Sequence, residues 1–118
     1  MISLDNNVYV VLNDVCPTYM GYVREWQELP CISYLCTDNS VARKLDGSEY
    51  FTHFTYKVDL FCEHTDNYQD FCQRVDDAMS GLGFTREQLI YLQEENVHIV
   101  FYYSMYVDKN GYTFDNIY

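Results

Sequence analysis

Apolar and polar positions alternate from Glu49 to Glu63. The even positions Tyr50, Phe54, Tyr56, Val58, Leu60 and Cys62 are apolar, with Thr52 the exception. The odd positions Glu49, His53, Thr55, Lys57, Asp59 and Glu63 are polar, interrupted by Phe51 and Phe61. Successive side chains point to opposite faces of a strand, so this pattern predicts one long strand. Its even set faces the core and its odd set faces water or a partner. A second long strand is predicted from Val97 to Asp108. Its odd face is wholly apolar (Val97, Ile99, Phe101, Tyr103, Met105, Val107), while its even face is mixed (His98, Val100, Tyr102, Ser104, Tyr106).

Between these strands the period lengthens. Tyr68, Phe71, Cys72, Val75, Ala78, Met79 and Leu82 recur at the spacing of one helix face, and Gln69, Asp70, Gln73, Arg74 and Asp77 fill the other. Asp66 with Gln69 suits a capping box, and Gly81 and Gly83 suit the helix exit. An earlier helix is predicted from Leu4, Val8, Val11, Leu12 and Val15, with Asp5 as its cap and Pro17 barring continuation. Cys31–Cys36 is short, apolar and β-prone, and a weaker strand signal surrounds Tyr22 to Trp26. The polar run 37–48, which contains Arg43 and Lys44, reads as a loop that is mobile before assembly. Leu89–Gln93 is predicted as a strand, followed by a turn at "EEN"; Asn110-Gly111 marks another turn before an aromatic tail, "YTFDNIY". The layout is α+β: a mainly antiparallel sheet of about four strands with two helices packed on one face, forming a single domain over 1–108. Residues 109–118 form a C-terminal tail suited to an interface arm.

Composition changes this picture in two ways. Thirteen Tyr and seven Phe in 118 residues favour an assembling protein, because tyrosine combines a large apolar body with a polar tip. A formal charge of −11 argues against a duplex-binding surface, which rests on Lys and Arg neutralising phosphates. The N-terminus lacks the basic start of a signal peptide, and no run of about 18 apolar residues suggests a membrane span. Five cysteines without a C-x-x-C spacing read as reduced, packed thiols of a protein made in the cytoplasm.

The densest candidate chemistry is "YKVDLFCEHTDNYQDFC", Tyr56 to Cys72. Structural zinc needs four converging ligands, usually supplied as close Cys or His pairs. Here Cys62 belongs to the apolar face of its strand and Cys72 to the apolar helix stripe, while His64 sits at the strand exit. The expectation is packed thiols, with no metal or cofactor. A cysteine nucleophile needs a histidine in reach, and His53 and His98 belong to mixed or polar strand faces. No nucleophile elbow, phosphate-cradling loop or dinucleotide fingerprint is present, so nothing demands an enzyme. The aromatics on otherwise polar faces, Phe51, Phe61, Tyr102 and Tyr106, point instead to a partner.

The order and spacing of "LPCISYL", a polar loop, "FTHFTYKVDLFCE", "VDDAMSGLGF" and a hairpin ending in "FYYSMYV" resemble the tail terminator, or tail-completion, proteins of long-tailed bacteriophages. That family carries a strand ending in a y-x-V-D-l pattern, here Tyr56-Lys57-Val58-Asp59-Leu60. A helix with a V…aM…lGF pattern follows, here Val75, Ala78, Met79 and Leu82-Gly83-Phe84. The resemblance covers about 1–108; the tail from Lys109 and the richness in Cys and Tyr depart from it. It implies a homo-oligomeric ring, commonly a hexamer, located in the virion at the head–tail junction and made in the host bacterial cytoplasm. Its implied partners are the tail tube protein and a head-side connector or stopper protein, with DNA passing through the lumen without specific binding. Ring contacts are heterologous, and the residues expected to supply them are Phe51, His53, Lys57, Asp59, Phe61, Tyr102 and Tyr106, with Tyr112 and Phe114 of the tail. Another phage neck or tail-tube component is the nearest alternative. A small cytosolic enzyme or thiol or metal-binding protein is the alternative of a different class.

Overall fold

Alternation of side chains along two long strands sets the architecture, which a computed structural model describes for residues 4–21, 28–43 and 50–108. In chain order the elements are α1 (Asp5–Asn13), β1 (Thr18–Met20), β2 (Cys31–Arg43), β3 (Tyr50–Cys62), α2 (Tyr68–Gly81), β4 (Thr85–Gln93) and β5 (Val97–Asp108). One five-stranded sheet runs in the order β1-β2-β3-β5-β4. It is mixed: β1 lies parallel to β2, and all other neighbours are antiparallel. The fold is therefore α+β as expected, but with a fifth strand, β1, and one parallel pair that the patterning does not reveal. Three residues are too few to show a period, and Thr18–Met20 follows directly on Pro17.

The core lies on one side of the sheet. The even residues of β3 from Phe54 to Cys62 and the odd residues of β5 from Val97 to Val107 are buried there, together with Val8 and Leu12 of α1 and Val75 and Met79 of α2. Both helices thus cover the same face. Each of those helix side chains stabilises the packing by roughly 1.5–3 kcal/mol through the apolar surface it removes from water.

Three local expectations are corrected. Residues 37–43, read as loop, continue β2 and pair with β3 as far as Arg43 opposite Tyr50. Polar composition hid this extension. The segment is held by backbone pairing to a longer strand and by local bonds: Thr37 Oγ1 donates to the Thr55 carbonyl, and Asp38 accepts from Ser40. A register shift between Cys36 and Asp38 absorbs one residue, which breaks the two-residue period that strand recognition depends on. Lys44 and the rest of that predicted loop lie outside the described residues, as do the weaker strand at 22–26, the Asn110-Gly111 turn and the tail with Tyr112 and Phe114.

The second correction concerns the caps. Asn67, not Asp66, caps α2, its side chain accepting the Asp70 amide; Asp66 instead accepts the Glu63 amide at 2.8 Å in the approach. Third, Asp5 is the first residue of α1 rather than its cap, and its carboxylate takes the Tyr56 hydroxyl at 2.6 Å. The exit of α2 follows expectation. Gly83 adopts φ +101°, a conformation that favours a residue without Cβ.

Candidate functional site

Every interface residue predicted within the described part of the sheet falls on the face away from the helices. Phe51, His53, Lys57, Asp59 and Phe61 occupy the odd positions of β3, with Tyr106 opposite His53 and Tyr102 opposite Lys57 on β5. Directly opposed residues of antiparallel strands share a face, so the register extends these positions into rows. Leu35, Lys57, Tyr102 and Gln88 form one row; Ser33, Asp59, Val100 and Ile90 form the next; Cys31, Phe61, His98 and Leu92 form the third. Ser33, Val100 and Cys31 are screened by their neighbours, whereas Leu35 is 48 % exposed.

A groove of about 380 Å³ opens on this face, lined by Gly21, Ser33, Leu35, Lys57, Asp59, Phe61 and His98. Its floor is a connected polar network. Asp59 accepts from the Ser33 hydroxyl at 3.3 Å and from His98 Nε2 at 3.2 Å, and Lys57 Nζ lies 3.7 Å away. His98 Nδ1 meets the Glu94 carboxylate at 2.9 Å, and the imidazole stacks on Phe61 at 4.2 Å between centroids. A second polar pair lies further along the same face, where His53 Nδ1 reaches Asp38 at 2.8 Å and its ring rests on Tyr106.

Ser33, His98 and Asp59 do not form a nucleophilic arrangement. The serine hydroxyl donates to the carboxylate rather than to the imidazole, and both imidazole nitrogens are engaged by carboxylates. The chemistry available here is recognition: an aromatic and aliphatic surface with paired charges of both signs.

The cysteine-rich stretch resolves differently. Cys62 is fully buried on the helix side, and Cys16, Cys72 and Cys31 are close enough to act on its thiol electrostatically. Burial pushes Cys16 and Cys62 up to about 12, and Cys31 and Cys72 up to about 11, so all four are protonated thiols at neutral pH. His64 lies beyond the end of β3, its Nε2 2.7 Å from the Glu95 carbonyl. Among the described residues, no three His, Cys, Asp or Glu side chains are placed to hold a metal ion.

A second hollow, of about 450 Å³, lies between α2 and the start of β4 and is lined by Asp76, Asp77, Ser80, Phe84, Thr85, Arg86 and Tyr103. Three of its polar groups are tied to each other. Asp76 accepts the Tyr103 hydroxyl through one oxygen and the Arg86 guanidinium, at 2.7 Å, through the other.

Sequence reading missed Ser33, Leu35, Asp38, Glu94 and His98 as members of the open face. Three of these belong to β2, in residues read as a short apolar strand or as loop; their face follows only from strand pairing. For His98 the signal was present, since it shares the mixed face of β5 with Tyr102 and Tyr106. The chain matches no protein-family model and no curated protein.

Proposed function

We propose that the chain is a structural, non-catalytic protein of the phage head–tail junction, a tail terminator that assembles into a ring. The ring, a hexamer by the resemblance, caps the tail tube, ends tube polymerisation and connects it to the head-side connector or stopper. The observation that carries this reading is the face of the sheet away from the two described helices, where Phe51, His53, Lys57, Asp59, Phe61, Tyr102 and Tyr106 stand together. Aromatic surface of this kind, interleaved with charge, fits contact with a protein partner better than a small-molecule cleft. The strand-to-helix order adds support: Tyr56-Lys57-Val58-Asp59-Leu60 lies in β3 and is followed by Val75, Ala78 and Met79 in α2, then Leu82-Gly83-Phe84 at its exit. The acidic balance suits a lumen through which DNA slides without adhering.

The test is assembly. Purified protein is measured for mass in solution and imaged alone and with tail tubes. Rings, free or seated on tube ends, are expected, together with tubes of defined length. A protein that leaves tube length unchanged and never decorates tube ends overturns the reading.

A further inference from the structure

We propose that His98 is a proton-operated clamp on the β4–β5 turn, holding Glu94 to the open face when doubly protonated and releasing it when neutral. The inference goes beyond the ring reading and stands without it.

The argument is one of valence. His98 Nε2 lies 3.2 Å from Asp59 and Nδ1 lies 2.9 Å from Glu94, so each ring nitrogen faces a carboxylate. A carboxylate only accepts, and a neutral imidazole has a single N–H. Both contacts are hydrogen bonds only in the imidazolium. Loss of one proton therefore leaves a nitrogen lone pair against a carboxylate.

Burial decides which contact fails. The Asp59 side chain is 14 % exposed, whereas that of Glu94 is 48 % exposed. Removing a donor from the shielded carboxylate is costly, while water readily replaces the lost partner of Glu94. Ser33 and Lys57 also hold Asp59 in place. The neutral tautomer consequently keeps its proton on Nε2, toward Asp59, and Glu94 swings into solvent.

The charged and titratable surroundings are Asp59 and Lys57 on β3, Glu94 on the turn, and Cys31 on β2, whose thiol burial keeps protonated. Leu92 on β4 brings no charge to the row. On the segment after β3, His64 meets the Glu95 carbonyl, so a second histidine touches the same turn and must be separated from the first. Because His98 also stacks on Phe61 and lines the 380 Å³ groove, the state of the clamp is felt on that groove.

The experiment follows the imidazole nitrogens of His98 by NMR across a pH titration while amide exchange is measured at Glu95 and Asn96, corrected for intrinsic rates. Deprotonation at Nδ1 is expected, with exchange in the turn rising roughly two- to fivefold, the range an exposed ion pair sustains. Glu94→Gln should abolish that step, and His64→Gln should preserve it. The proposal is overturned if the turn exchanges alike through the titration, if Nε2 is the nitrogen that loses its proton, if the step persists in Glu94→Gln, or if it disappears in His64→Gln.

Discussion

Tyr56 of β3 and Tyr103 of β5 are register partners, and each sends its hydroxyl to an aspartate on a different helix. Asp5 of α1 receives the first and Asp76 of α2 the second. Both rings are almost wholly buried, so the pair pins two helices to adjacent strands through the middle of the core. Burial and the neighbouring carboxylates hold both phenols above the ordinary tyrosine range, which keeps them donors.

Removing either hydroxyl should therefore loosen one helix without opening a cavity. Tyr56→Phe and Tyr103→Phe are each expected to lower stability by about 1.5–3 kcal/mol, the scale of a hydrogen bond to a charged group. Urea unfolding measures it. Because the rings are neighbours, the double variant should depart from the sum of the singles. Unchanged midpoints in both single variants would show that the hydroxyls do not anchor the helices.

The buried thiols predict alkaline instability. Cys16, Cys31, Cys62 and Cys72 are all raised from an ordinary value of 9.0. Above that value the unfolded chain sheds these protons while the native protein retains them, so stability falls as pH rises. Their contribution is complete below pH 9 and is lost as pH passes through the native values of about 11 to 12. Tyr56 and Tyr103 shift in the same direction and add to the effect. Denaturant midpoints should decline from about pH 9 upward, and a flat profile contradicts the assignment. Native thiols should also react slowly with alkylating reagents near neutral pH, since the thiolate is the nucleophile.

Leu35 offers a way to separate folding from the proposed assembly. It stands on the open face, half exposed, in the row with Lys57 and Tyr102. Leu35→Glu is expected to change monomer stability by no more than about 0.5 kcal/mol. Ring formation or tube-end binding should weaken by roughly tenfold or more, equivalent to about 1.4 kcal/mol. Thermal melts and sedimentation read the two effects independently. Intact assembly in this variant would move the contact surface elsewhere.

The long elements were legible because each carries its own period. β3 and β5 alternate over a dozen residues, and α2 presents an unbroken stripe from Tyr68 to Leu82, so face and length could be read together. What escaped depends on neighbours. β1 is recognisable only by lying beside β2, and the second half of β2 is polar because its partner strand, rather than its own burial, holds it extended. The same reason explains the site. Phe61 and Asp59 were visible as candidates, but their link to Ser33, His98 and Glu94 crosses strands and a turn, and no local pattern encodes it.

The polar face also bears on how the sheet finds its pairing. Sliding β3 by one residue against β5 would exchange its faces, driving Lys57 and Asp59 beneath the helices, and burial forbids that outright. A slip of two residues is more insidious, because every apolar side chain stays on its proper side. Either such slip parts Phe61 from His98 and His53 from Tyr106, while leaving His98 opposite a carboxylate, Glu63 or Asp59. The two cross-strand ring stacks thus mark one alignment among several that hydrophobicity treats as nearly equal.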